Sequence, residues 1–154
     1  MAEIQVYFDG LCQPMNPGGV ACYAFIIKSQ DKVLYKEKGI AADPFSKEAT
    51  NNVAEYTALL KALDWLISNK KEGQPVRVRG DSNLVISQIS GKFKVKAKVL
   101  IPLFQKAAFL RKKFADISFQ WVPREENRDA DKLSEEAYNN AIIDDPGLLD
   151  RIRR

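Results

Sequence analysis

Four acidic residues occupy positions from which carboxylate chemistry could be built. Asp9 follows the apolar run Ile4–Phe8, and Asp81 comes just after Pro75–Arg79. Glu55 lies near the start of a long apolar-periodic segment, and Asp131 lies in a charged segment toward the C-terminus. The chain contains no histidine. That removes histidine general bases, histidine–zinc sites and Ser-His-Asp triads together. Cys12 and Cys22 are the two cysteines, too few for a cysteine-rich zinc site or a disulfide scaffold. Chemistry therefore falls to carboxylates, Lys, Arg, Tyr or Cys, with a hard metal as the natural partner. Carboxylates brought together repel and do not all stay ionised alone. Mg²⁺ resolves this, because it takes oxygen ligands and keeps waters for a substrate. Two such ions about 4 Å apart can activate a water and stabilise a leaving alkoxide in phosphodiester cleavage.

Each acid also has a plainer reading. Asp9-Gly10 is a common turn pair. Asn52-Val53-Ala54-Glu55 fits a helix start with Glu55 as the reciprocal capping acid. Asp81-Ser82 can cap the helix that follows, and Asp131 can be a solvated charge. Taken singly these readings stand, and convergence depends on the elements that carry the four residues.

Those elements follow from periodicity and punctuation. Ile4–Phe8 reads as a buried strand, ending at Asp9-Gly10 in a loop over residues 11–19 with two prolines and paired glycines. Val20–Lys28 and Val33–Ile40 read as strands joined at Asp31-Lys32. Asn52–Ser68 carries Val53, Tyr56, Leu59, Leu60, Leu63 and Leu66 at helical spacing. Pro75–Arg79 is a strand with Val76 and Val78 on one face, and Arg77 and Arg79 on the other. Helices follow over 82–90, ending at Gly91, and over 98–114, with Pro102 near its start. Ile117–Val122 is a fifth strand, Glu125–Ala141 a last helix, and Pro146-Gly147 opens a tail. The order βββ-α-β-α-α-β-α implies crossover connections and a partly parallel sheet. An α/β fold with a five-stranded mixed sheet flanked by helices is the expected packing.

The 154 residues suit one domain, read as 1–142 with a short tail over 143–154. No apolar run is long enough to span a membrane, and the N-terminus lacks the pattern of a signal peptide. A cytoplasmic protein with both thiols free is the expectation. Net charge is +4, unevenly spread. From Ser82 to Ala115 there is no acid, while Lys92, Lys94, Lys96, Lys98, Lys106, Arg111, Lys112 and Lys113 all fall there. Such a block fits a polyanion partner, and it also fits a solvated face.

The local sequences resemble the type I ribonuclease H family, and its archaeal members most. The residues that carry the resemblance are Tyr7-Phe8-Asp9-Gly10 with Asn16-Pro17-Gly18-Gly19; Thr50-Asn51-Asn52-Val53-Ala54-Glu55-Tyr56; Gly80-Asp81-Ser82; and Trp121-Val122-Pro123-Arg124-Glu125-Glu126-Asn127 leading to Ala130-Asp131. They fall in family order and span nearly the whole chain. The resemblance implies a ribonuclease H-like fold and hydrolysis of the RNA strand of RNA–DNA hybrids, leaving 5′-phosphate and 3′-hydroxyl ends. It implies metal binding by Asp9, Glu55, Asp81 and Asp131, with two Mg²⁺ ions in the substrate complex, Mn²⁺ as a substitute, and Asp9 shared between the ions. Asp131 rather than Asp129 matches the family's Ala-Asp-x-Leu. Contacts to RNA 2′-hydroxyls map to Asn51, Asn52, Glu55 and the backbone of Gly10, Leu11 and Cys12, with Ser82 beside them. The pocket for a DNA phosphate maps to Thr50.

The chain departs from the bacterial pattern in two places. Arg124 stands in a shortened loop where many members carry a histidine, and it is assigned a catalytic role on that ground; a surface salt bridge is the alternative. The basic protrusion is reduced, with Lys92, Lys94, Lys96 and Lys98 as candidate substitutes and Phe93 as either a stacking surface or a core anchor. Weak cleavage of double-stranded RNA and a monomeric state complete the expectations. Two other functions compete. An inactive nucleic-acid-binding module would lack a carboxylate, and all four are present. A junction resolvase or integrase core would lack the Thr-Asn-Asn segment.

Overall fold

The computed structural model describes residues 2–153. Among these residues the strands are β1 (Ile4–Gln13), β2 (Val20–Ser29), β3 (Lys32–Ile40), β4 (Pro75–Gly80) and β5 (Asp116–Trp121). The helices are α1 (Asn51–Ser68), α2 (Asn83–Ile89), α3 (Ile101–Arg111), α4 (Arg128–Asp144) and α5 (Pro146–Ile152), with a 3₁₀ turn at Arg124–Glu126 before α4. The strands form one mixed sheet in the order β3-β2-β1-β4-β5. β1–β2 and β2–β3 are antiparallel, and β1–β4 and β4–β5 are parallel. This is the α/β architecture expected from the sequence, a five-stranded mixed sheet flanked by helices.

Alternation along the strands decides which side chains face which helices. Ile4, Val6 and Phe8 of β1, Phe25 and Ile27 of β2, and Val76 and Val78 of β4 are fully buried with Tyr56, Leu59, Leu63 and Leu66 of α1. Each fully buried Leu or Phe contributes roughly 1.5–3 kcal/mol of transfer free energy. The opposite face of the sheet is covered by α4, which packs on β1, β2 and β3.

The helix expected over 98–114 is shorter, α3 running Ile101–Arg111, and four other boundaries differ from expectation for a physical reason. β1 does not turn at Asp9-Gly10, because β2 pairs with it as far as Gln13↔Val20 and satisfies its backbone. Thr50, not Asn52, caps α1, its side chain accepting from Val53 N at 3.0 Å, so Glu55 is not a capping acid. α4 begins at Arg128, after the 3₁₀ turn occupies the residues expected to start it. The segment read as a tail carries the end of α4 and then α5, started by Pro146 and capped by the Asp145 side chain accepting from Gly147 N. Leu148 of α5 packs with Leu11, Val20, Cys22, Ala137 and Ala141.

Candidate active site

The site forms where two parallel strands part. The β1–β4 ladder ends at the pair Phe8↔Gly80, and the next residue on each strand is an aspartate, Asp9 and Asp81. Only β2 continues alongside β1 beyond this point. The open crevice at the carboxyl ends of strands flanking such a switch is where α/β sheets present ligand sites. Gly80 is required here, since a Cβ at that position would overlap the Phe8 ring.

Glu55 reaches the same point from α1. A Cβ at residue 10 would fall on the backbone of Ala54 and Glu55. Gly10 is therefore what lets this turn of α1 lie against β1. Asp9, Glu55 and Asp81 bring carboxylate oxygens within 4.8 Å of one another. Asp9 and Glu55 are buried, 4% and 3% exposed. Among the described residues, Glu55 Oε2 has no hydrogen-bond partner, a costly state for a buried oxygen. Burial pushes the Asp9 carboxyl up from its ordinary 3.8 to about 7, with the charges of Asp81 and Asp131 adding to the effect. Hydrogen bonds from Ser134 and the Gly10 backbone oppose it. Burial raises Glu55 well above the usual carboxylate range, assisted by the charges of Asp9 and Asp81. Asp81 is raised by burial and then by Asp131.

Asp131, in the first turn of α4, stands at the rim and is not within the three-acid group. It accepts from Arg124 Nε at 3.2 Å and lies 3.2 Å from Arg124 Nη2. Arg124 is largely exposed and also lies 4.0 Å from Glu135. Both Asp131 and Arg124 line a cavity of about 350 Å³ with the three acids. Asp129 faces elsewhere, 3.4 Å from Lys28.

The remaining expected residues divide into several groups. Gly10, Leu11, Cys12, Asn51 and Ser82 line the cavity, with Gly10, Leu11 and Cys12 on β1 rather than in a loop. Ser82 also caps α2, its hydroxyl accepting from Val85 N at 3.2 Å. Thr50 and Asn52 lie next to Asn51 but do not line the cavity. Asn16 Oδ1 accepts from the Asn51 backbone at 3.0 Å, tying the proline loop to the start of α1. Lys92, Lys94, Lys96 and Lys98 are exposed on the connection between α2 and α3, and among the described residues none makes an ion pair. Phe93 is 49% exposed, so it is not a core anchor; Val95 and Leu100 hold this segment to the core. Cys12 and Cys22 are free. Cys22 pairs with Leu11 and Cys12 with Ala21, so the two thiols lie on opposite faces of the sheet.

Four contributors were not singled out from the sequence. Asn127, 1% exposed, donates from Nδ2 to the Phe8 carbonyl at 2.9 Å, pinning the 3₁₀ turn where the ladder opens. Trp121 Nε1 donates to the Asp81 carbonyl at 3.1 Å. Ser134 donates to Asp9, and Glu135 lines the cavity. Helical spacing from Asp131 was the available signal for the last two, being three and four residues on. The other two stand at the ends of the motif Trp121–Asn127, but nothing local marks their partners, which are 119 and 40 residues away.

Residues 8–137 match the family described as reverse transcriptase-like. The bifunctional protein Rv2228c of Mycobacterium tuberculosis is 42% identical over 126 residues, covering 82% of this chain and 33% of that one. This chain thus spans about a third of the length of that mycobacterial relative. The solved N-terminal RNase H domain of that protein superposes with a TM-score of 0.81 at 31% identity, covering 94% of this chain and 99% of the other. Ribonuclease HI of Halobacterium salinarum is 35% identical over 139 residues, 90% of this chain and 66% of that one. LC11-RNase H1, solved in complex with an RNA/DNA hybrid, gives a TM-score of 0.78 at 34% identity, covering 90% of this chain and 99% of that one. With these matches running over the strands and helices that assemble the carboxylates, the chain belongs to the type I ribonuclease H family.

Proposed function

We propose that this chain hydrolyses the RNA strand of RNA–DNA hybrids, leaving 5′-phosphate and 3′-hydroxyl ends, with Asp9, Glu55, Asp81 and Asp131 as ligands of two Mg²⁺ ions or of Mn²⁺ in their place. The observation that carries this reading is the meeting of three carboxylates within 4.8 Å, one of them with a buried oxygen that has no partner. An all-oxygen donor set with more negative charge than its neighbours neutralise suits a hard divalent cation. Such ions, when bound, supply an activated water and stabilise the leaving oxygen.

The side chains do the rest. Arg124 stands at the cavity mouth, where a guanidinium can pair with phosphate oxygens. Asn51 lines the cavity beside Glu55, and its amide offers both donor and acceptor to a 2′-hydroxyl, the group that distinguishes RNA from DNA. Asn52 adjoins it, and the Thr50 hydroxyl, whose oxygen caps α1, keeps its proton for a phosphate of the opposite strand. A site built around 2′-hydroxyls leaves polar groups unpaired when these are missing, which imposes a large penalty on DNA. The exposed Lys92–Lys98 segment adds phosphate contacts. A relative of the same fold solved on an RNA/DNA hybrid supports the assignment.

The test is one sequence prepared as hybrid, DNA duplex and RNA duplex, incubated with the protein and Mg²⁺ at fixed salt. We expect rapid cutting of the hybrid, slow cutting of the RNA duplex and none of the DNA duplex. Comparable cutting of the DNA duplex would overturn the reading. In the same assay, replacing Lys92, Lys94, Lys96 and Lys98 by Gln should flatten the salt dependence of hybrid binding by about 0.9 in log–log slope per lost contact. An unchanged slope would turn that segment away from the nucleic acid.

A further inference from the structure

Ser134 is completely buried in the middle of α4. Its hydroxyl lies 2.7 Å from Asp9 Oδ2 and 2.8 Å from the backbone carbonyl of Asp131. A hydroxyl has one proton to give. A serine in a helix ordinarily returns it to a carbonyl three or four residues back, which is a bond local to the helix. Here a carboxylate is as close, and a charge-assisted bond to it is roughly twice as strong as a neutral one. The proton is therefore drawn to Asp9, and the contact crosses 125 residues of chain, from α4 to β1.

From this arrangement we infer that Ser134 is a positioning residue for the metal site, fixing the Asp9 carboxylate against α4 while the helix presents Asp131 one turn earlier. With Oδ2 held, rotation of the carboxylate about its Cβ–Cγ bond is restricted. Asp9 then enters the group with Glu55 and Asp81 in a defined orientation. Because the same hydroxyl touches the backbone of Asp131, it also sets the spacing between the strand that carries one ligand and the helix that carries another. Groups that orient ligands in this way usually alter metal affinity by about 10- to 100-fold when removed. The inference rests on the reading of the acids as metal ligands.

The experiment is Mn²⁺ binding followed by electron paramagnetic resonance, on the native chain and on Ser134→Ala and Ser134→Thr. Alanine removes one oxygen and is the most favourable helix residue, so α4 is retained; circular dichroism checks this. We expect Ser134→Ala to bind Mn²⁺ about tenfold more weakly and to lower kcat on a hybrid with KM for the hybrid unchanged. Ser134→Thr, which keeps the hydroxyl, should stay within about threefold of native in Mn²⁺ affinity. Native Mn²⁺ affinity in Ser134→Ala would refute the role. Equal losses in both variants would refute it too, because they would assign the effect to packing. If the native chain leaves hybrids uncut while Ser134→Ala still loses Mn²⁺ affinity, the functional reading fails and the positioning role stands.

Discussion

The β1–β4 ladder has charged groups near both of its ends and treats them in opposite ways. Toward the N-terminal end, Arg77 of β4 makes two hydrogen bonds to Asp116, at 3.0 and 2.9 Å, and lies 3.5 Å from Glu3. Asp116 and Glu3 are exposed and Arg77 is half-buried, and the Arg77 guanidinium holds Asp116 below the usual carboxylate range. At the other end, Asp9 and Asp81 meet Glu55 with no base among them, and burial raises all three. The nearby Arg124 engages Asp131 at the rim instead. An acid matched to a guanidinium at the surface is content with the protein alone. Acids buried against one another need a proton or a cation to balance them, and that sets the second cluster apart as the metal site proposed above.

The largest effect should come from breaking the unbalanced end. Asp9→Asn preserves shape and removes a ligand charge. Hybrid hydrolysis should fall by orders of magnitude while hybrid binding, measured by fluorescence anisotropy, is retained. Near-native turnover would remove Asp9 from the chemistry. The same variant sharpens the electrostatic side. The unfolded chain releases the Asp9 proton near 3.8, and the folded chain holds it up to about 7. Between those values the folded state binds more protons, so metal-free stability should decline as pH rises through that window. Three pH units correspond to about 4 kcal/mol at most. Urea midpoints in the presence of a chelator should therefore fall from about pH 4 to about pH 7 in the native chain and fall less in Asp9→Asn. A native midpoint that rises across this range would contradict the argument.

An intermediate effect is expected at the rim. Arg124→Ala frees Asp131 and removes a phosphate partner, so kcat should fall more than KM rises. Steady-state kinetics on a hybrid decides this, and an unchanged kcat would return Arg124 to the role of a surface ion-pair partner. The smallest effect belongs to the balanced end. Asp116→Asn should leave hybrid cleavage at the native rate and shift the urea midpoint only slightly, because exposed ion pairs contribute little. A marked loss of activity would show that the two ends of the strands are coupled after all.

Some of this was legible before any coordinates. Apolar alternation and helical spacing placed the strands and long helices, since burial of one face demands a fixed period from the sequence itself. The motif residues picked out Asp9, Glu55 and Asp81, which meet in the structure, and Asp131, which lines the same cavity. Boundaries set by distant partners were hidden: β1 runs on to Gln13 because β2 pairs with it, and the last helix docks because Leu11 and Ala137 leave it an apolar seat.

The sequence by itself determined the fold class and the family, because these depend on residue types at fixed local spacings, and it picked out the four acids proposed as metal ligands. Only the tertiary structure decided between a capping Glu55 and a buried one, between a turn at Asp9-Gly10 and a continuing strand, and between a core Phe93 and an exposed one. It also brought in Asn127, Trp121 and Ser134. The physical reason is the same throughout. A side chain's environment is set by what packs against it, and here the deciding neighbours lie tens of residues away or more, where no local pattern records them.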